Sequence, residues 1–162
     1  MASFPSSKIR LARPSDVPEL MEMMGAFNRA EHVTWRRQQV LPALRKLLRE
    51  PGLGRVVVAG DDGGGELRGY AVATFGYDLE FAGRDAFLTE IFVRPRCRRG
   101  GEGQRLLRAI TDEMRAAGAA AIHLAVWPAN RAARRLYQAA GFAPVPRLLM
   151  SQRLARRRPV VR

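Results

Sequence analysis

The feature that most constrains this chain is a glycine- and arginine-rich turn between an apolar segment and an amphipathic one. Residues 86–93 are apolar and rich in β-forming side chains, Pro95 ends that predicted strand, and from Gly101 onward apolar residues recur at helical spacing. The first N–H groups of a helix have no partner within it, and the helix dipole adds positive charge there. The sequence therefore predicts a strand, an anion-binding turn and a helix.

The turn has residues suited to phosphate. Gly100, Gly101 and Gly103 have no Cβ to obstruct a ligand, and Arg98 and Arg99 can supply forked donors to phosphate oxygens. The dinucleotide fingerprint would need a third glycine three residues further on, and the nucleotide P-loop would need a lysine in the turn. The chain has neither, which leaves the pattern Arg98-x-x-Gly101-x-Gly103.

A net charge of +13 raises a competing interpretation, in which the chain is a basic nucleic-acid-binding module. Lys8 and Lys46 are the only lysines, and the arginines are spread over the turn, the helical regions and the C-terminal tail. No zinc-ligand spacing, basic recognition helix or aromatic RNA-binding signature accompanies them. We therefore do not expect nucleic acid as the main partner, and we expect no metal.

The compartment is inferred from two other features. No apolar run approaches the roughly 20 residues that span a bilayer, and residues 1–8 lack the apolar core of a signal peptide. The single cysteine, Cys97, excludes an intrachain disulfide. We expect a cytoplasmic protein without a membrane partner.

Hydrophobic periodicity predicts an alternation of strands and helices along one domain, 1–162, with its core over 8–154 and a basic tail at 155–162. The turn-forming residue types at 61–65 predict the exposed tip of a hairpin. The predicted strands are 8–13, 55–59, 67–76, 86–93, 120–127 and two short closing strands at 142–145 and 148–154; the predicted helices are 16–30, 34–49, 101–118 and 130–141.

A second motif follows the predicted strand at 120–127 and reads Asn130-x-x-Ala133-x-x-Leu136-Tyr137-x-x-x-Gly141-Phe142. Together with the glycine turn it resembles the GNAT superfamily of N-acyltransferases. The resemblance covers about residues 8–154, although only 86–142 is specific. It implies an α/β (α+β) fold, with a mixed central sheet of six to seven strands flanked by about four helices.

The resemblance also implies an activity, the transfer of an acetyl group directly from acetyl-CoA to a primary amine. The acceptor would be a small-molecule amine, an amino acid or a polyamine-like compound. The alternative acceptor is an amine of a protein or of an aminoacyl-RNA. A homodimer is compatible with both acceptors. The implied acetyl-CoA site includes backbone groups of Phe92 and Val93, the turn and the second motif: Phe92, Val93, Arg98, Arg99, Gly100, Gly101, Glu102, Gly103, Gln104, Asn130 and Tyr137.

Glu102 departs from the family pattern, because a carboxylate beside a phosphate site is unfavourable. We expect its side chain to point outward. Within the resemblance, Tyr137 stands where the family has a general acid for the thiolate leaving group; its structural alternative is a core-facing aromatic ring.

Glu90 is the predicted general base, because burial in an apolar strand should raise the pKa of its carboxyl group. The alternatives are a structural ion pair of Glu90 with an arginine, a water chain, and Glu80 as base. Cys97 lies in the loop beside the phosphate turn, away from the expected thioester, so we do not expect it to be a nucleophile.

Overall fold

The structure, a computed structural model, describes residues 7–60 and 66–154. Over these ranges it contains one five-stranded sheet whose strands lie side by side in chain order. The first four pair antiparallel, and the fifth pairs parallel to the fourth, so the sheet is mixed. The strands are β1 (Lys8–Leu11), β2 (Gly54–Gly60), β3 (Gly69–Asp78), β4 (Gly83–Val93) and β5 (Ile122–Leu124).

Helices cover both faces of this sheet, because successive side chains of a strand point to opposite sides. The helices are α1 (Val17–Ala30), α2 (Arg37–Arg49), α3 (Glu102–Ala116) and α4 (Arg131–Ala139). Valines at alternate positions of β2 pack with α1 and α2 on one face, and the residues between them pack with α3 on the other.

The predicted fold class is confirmed, but the predicted number of strands is too high for the described part of the chain. The closing strands expected at 142–145 and 148–154 do not form, and β5 is shorter than predicted. Pro144 and Pro146 cannot donate ladder hydrogen bonds, which disfavours the first of these strands, at 142–145. The predicted hairpin tip 61–65 and the tail 155–162 lie outside the described residues.

β4 changes its pairing halfway along its length. Glu90 lies opposite Val72 and Leu88 opposite Ala73, so Thr89 is an extra residue that forms a β-bulge. On the other edge, β5 pairs only with residues 86–88. From Thr89 to Val93, that edge of β4 has no strand partner among the described residues, and a gap opens there.

No helix within the described ranges is both long enough and apolar enough to cross a membrane.

Candidate functional site

A cavity of about 600 Å³ occupies the gap between the second half of β4 and the chain that follows β5. The glycine turn and the start of α3 form one part of its wall, and the end of α1 and the face of α4 form the rest. Ten of the predicted site residues line it: Glu90, Phe92, Val93, Arg98, Arg99, Gly101, Glu102, Gly103, Asn130 and Tyr137.

Two predicted residues are not part of this lining. Gly100 lies in the turn but not in the cavity wall. Gln104 lines a separate cavity of about 390 Å³ between α3 and α4. Gln104 can contribute to the main cavity only through its backbone N–H.

The turn owes its shape to two left-handed residues. Arg99 has a φ of 66° and Gly101 a φ of 79°. A Cβ built on Gly101 would meet no atom within 4 Å, so this position favours glycine for its backbone conformation rather than for space. The first backbone bond of α3 runs from the N–H of Arg105 to the carbonyl of Gly101. The N–H groups of residues 102–104 therefore have no acceptor within the helix.

Arg98 braces the turn against the end of β4. Its Nε donates a hydrogen bond of 2.9 Å to the carbonyl of Val93, and its guanidinium lies 5.8 Å from the centre of the Phe92 ring. The side chain thus has a structural contact in addition to the charge that it brings to the cavity.

The expectation that Glu102 points outward is wrong. Its side chain is 5% exposed and accepts a hydrogen bond of 2.8 Å from Ser7 Oγ. Its Oε1 also lies 2.7 Å from Arg105 Nη2 and 3.7 Å from Arg68 Nη1. The first turn of α3 packs beside β1, which brings these groups together. Two guanidinium groups neutralise the carboxylate, so it does not oppose an anion at the turn.

The backbone of β4 presents alternate residues to the cavity. The N–H of Arg94 bonds to the carbonyl of Arg68 on the β3 side. Because antiparallel ladder bonds alternate along a strand, the backbone groups of Phe92 also face β3, whereas those of Ile91 and Val93 face the open edge. The predicted backbone contact therefore fits Val93 and not Phe92, whose side chain lines the cavity instead.

Glu90 projects from β4 toward the cavity and accepts a hydrogen bond of 2.6 Å from the phenol of Tyr70. Burial raises the pKa of the Glu90 carboxyl group, and the bond from Tyr70 opposes part of that rise. Of the ion pairs found among the described residues, none includes Glu90, so the alternative of a structural ion pair with an arginine is not found there. Glu80, the reserve base, instead pairs with Arg147 at 2.8 Å on the surface.

Tyr137 faces the same cavity from α4. Its ring packs edge-on against Phe142, with centroids 5.9 Å apart. Burial, together with the negative charge of Glu31, raises the pKa of Tyr137 to about 12, so the phenol keeps its proton at neutral pH. Asn130 orients α4, because its Oδ1 accepts a hydrogen bond of 3.1 Å from the N–H of Ala133.

Sequence reasoning missed two residues of the site, Tyr70 and Glu31. Tyr70 reads as one apolar residue of a buried strand, and only the pairing of β3 with β4 brings its hydroxyl to Glu90. Glu31 follows the last residue of α1 and lines the cavity. Among the described residues its carboxylate has no hydrogen-bond or ion-pair partner. Neither residue lies in a local motif.

Comparison with known proteins agrees with this geometry. The model of the acetyltransferase (GNAT) family matches residues 19–142. Thialysine N-epsilon-acetyltransferase of the mouse, Mus musculus, is 26% identical over an alignment of 147 residues that covers 84% of this chain and 84% of the relative.

Solved structures show the same fold. An integron cassette protein from the mobile metagenome of Cole Harbour Salt Marsh is 29% identical, with a TM-score of 0.79 over 92% of this chain and 91% of that one. The aminoglycoside acetyltransferase AAC(6')-Iy, in complex with a bisubstrate analogue that contains CoA, is 19% identical. Its TM-score is 0.79 over 93% of this chain and 100% of that one.

Proposed function

Since the chain belongs to the GNAT family and is an acetyl-CoA-dependent N-acetyltransferase, we propose that it transfers the acetyl group directly to a cationic primary amine. The observation that carries the proposal is the convergence of three independent features on one cavity. These are the glycine turn, the half-buried carboxylate of Glu90 and the phenol of Tyr137.

The residues at the turn fit the diphosphate of acetyl-CoA. The unpaired N–H groups of residues 102–104 and the dipole of α3 favour an anion, and Arg98 and Arg99 add positive charge. At the open edge of β4, the N–H of Val93 can donate a hydrogen bond to an extended pantetheine arm, which would lie beside β4 in the way that an additional strand does. The side chain of Asn130 lies in the same cavity wall.

The roles of the side chains follow from their environments. Acetyl-CoA supplies a thioester whose carbonyl carbon accepts the amine nitrogen. Glu90 takes the proton that the amine must lose before or during attack, directly or through one water. A second N–H of the open edge near Val93, that of Ile91, stabilises the negative charge that develops on the carbonyl oxygen. Tyr137 gives its proton to the sulfur as the carbon–sulfur bond breaks. An ammonium acceptor loses two protons in all: the first leaves through Glu90 to solvent before attack, and the second passes from the attacking nitrogen to Glu90 and replaces the proton that Tyr137 has given to the thiol.

The charges around the cavity favour a cationic acceptor. Glu31 and Glu90 place two carboxylates in its wall, and Glu31 has no cationic partner among the described residues. A primary ammonium group is attracted to such a surface, and it also needs the base that Glu90 provides. The mouse relative is named for N-epsilon-acetylation of thialysine, which supports an amine acceptor of this kind.

A protein or aminoacyl-RNA amine is the second candidate acceptor. The net charge of +13 favours it, because a basic surface attracts acidic macromolecules. The carboxylates of Glu31 and Glu90 near the end of α1 distinguish the two candidates, since they favour a small cation over a polyanion such as aminoacyl-RNA.

A thiol-release assay over a panel of amines tests the proposal. We expect acetyl-CoA binding in the micromolar range by calorimetry and turnover with diamines or basic amino acids above turnover with neutral monoamines. Thiol release only with peptides or aminoacyl-RNA would select the second candidate. Salt-sensitive RNA binding without acetyl-CoA binding would contradict the whole proposal.

A further inference from the structure

We propose that Tyr70 is a positioning residue for acetyl transfer, whose phenol holds one carboxylate oxygen of Glu90 so that the other faces the acceptor. The inference rests on the proposed function, in which Glu90 is the base. Tyr70 touches neither acceptor nor acetyl-CoA and acts only through Glu90.

The geometry allows only this role for the hydroxyl. Tyr70 is fully buried, and its ring packs against Phe92 at a centroid distance of 6.1 Å in the core beneath α1. Its hydroxyl lies 2.6 Å from Oε2 of Glu90, a length typical of a phenol that donates to an ionised carboxylate. Because Tyr70 does not line the cavity, its hydroxyl does not compete with a ligand.

The bond fixes the carboxylate and defines its free oxygen. Oε2 is engaged by the phenol, which leaves Oε1 of Glu90 for the acceptor amine or a bridging water. A base on a β-strand with both oxygens unrestrained would sample several rotamers, and loss of orientation lowers the rate of proton transfer. Tyr70 therefore fixes the orientation in which the Glu90 carboxylate accepts a proton.

The bond also favours the ionised form of Glu90, which is the form that accepts a proton. Burial and the negative charge of Glu90 raise the pKa of Tyr70 far above its ordinary value, so the phenol remains a donor at every working pH. Burial alone raises the pKa of Glu90, and the hydrogen bond from Tyr70 lowers it. Removal of the hydroxyl should raise the pKa of Glu90 further.

Other ionisable groups face the same space, but none replaces Tyr70. Around the cavity, the position after α1 contributes Glu31, α4 contributes Tyr137, and the turn with the start of α3 contributes Arg98, Arg99 and Glu102. Among the described residues, the hydrogen bond to the Glu90 carboxylate comes from Tyr70.

The test compares pH profiles of kcat/KM for the wild type, Tyr70→Phe and a matched control, Tyr77→Phe. Tyr77 lies on the same strand, is 76% exposed and has no hydrogen bond from its hydroxyl among the described contacts. Phenylalanine preserves the packing of Tyr70 and removes only its hydroxyl. We expect the acid limb of Tyr70→Phe to move to higher pH, with activity about tenfold below wild type on that limb and a smaller deficit at high pH. Tyr77→Phe should follow the wild-type profile.

Glu90→Gln separates a failure of this inference from a failure of the proposed base. If Glu90→Gln removes the acid limb while Tyr70→Phe leaves it in place, Glu90 is the base and Tyr70 does not position it. If Glu90→Gln retains the wild-type acid limb, the base assignment itself is wrong.

A second measurement does not depend on how well the Tyr70 variant folds. Proton NMR of the wild type should show a slowly exchanging, low-field tyrosine hydroxyl proton, and this signal should be lost in Glu90→Gln. An identical spectrum in the two proteins would overturn the inference.

Discussion

The two ends of the cavity are built from different parts of the chain. At the start of α3, backbone N–H groups in a turn with two left-handed residues form the proposed anion site. Toward the end of α1, the proposed functional groups are the side chains of Glu31, Glu90 and Tyr137, which come from three separate parts of the chain. The residues of the turn are neighbours in sequence, whereas the three side chains near the end of α1 come together only when the sheet forms.

This difference predicts how each end responds to mutation. A backbone site is damaged by a residue that changes its conformation or introduces charge, and few side chains in it are individually essential. A side-chain site can be altered one functional group at a time, with effects on rate and pH dependence. The following substitutions test that contrast, from the largest expected effect to the smallest.

Gly101→Glu should lower acetyl-CoA affinity by about 1,000-fold. The left-handed φ of Gly101 strains any other residue, and a carboxylate would lie beside the diphosphate. Calorimetry with acetyl-CoA measures the effect. The matched control is Gly118→Glu, which imposes the same kind of strain at the other end of α3, where φ is 87° and a Cβ meets nothing within 4 Å. Equal affinities in the two variants would mean that the turn is not the phosphate site.

Tyr137→Phe should lower kcat by about 100-fold and leave the affinity for acetyl-CoA close to that of the wild type. The phenol supplies a proton but does not hold the diphosphate, so the loss should appear in turnover. Because its pKa is raised to about 12, Tyr137 should serve as an acid in the wild type until the pH approaches that value. Steady-state kinetics across pH measure this, and a variant as active as the wild type at every pH would remove the acid role.

Glu31→Gln should raise KM for a diamine about fivefold and change KM for a neutral monoamine little, because one exposed charge contact contributes about 1 kcal/mol. Loss of the Glu31 charge should also lower the pKa of Tyr137, so the alkaline decline of activity should begin at a lower pH. Kinetics with paired amines provide the comparison. An equal rise in KM for both amines would indicate a structural role for Glu31.

Cys97→Ala should leave kcat within about twofold of the wild type, because the transfer that we propose is direct and needs no thiol intermediate. Cys97 lies in the turn region but does not line the main cavity. Mass spectrometry after incubation with acetyl-CoA should show no acetylated Cys97. Loss of most turnover together with an acetylated thiol in the wild type would support a covalent route.

The features predicted correctly from the sequence are those that depend on residues close together in the chain. The strand, the glycine turn and the helix start at Gly101 follow from residue type and spacing, and the structure confirms this succession. Asn130 was likewise recognisable as a helix cap, and its side chain does cap α4.

The remaining features depend on which elements meet in space. The inward orientation of Glu102 requires Ser7 and Arg68 from distant positions, in addition to Arg105 one turn further along α3, and no local sequence pattern predicts that cluster. The bond from Tyr70 to Glu90 depends on the register of β3 against β4, which includes a bulge. The closing strands were overpredicted, because apolar periodicity in 142–154 outweighed the two prolines in that segment.

The most direct test of the account is a crystal structure of the protein with CoA. We expect the diphosphate within hydrogen-bond distance of the N–H groups of residues 102–104, and the pantetheine arm along the open edge of β4 at Val93. A diphosphate bound anywhere else, with those N–H groups facing solvent, would contradict the central claim that the glycine turn is the acetyl-CoA site.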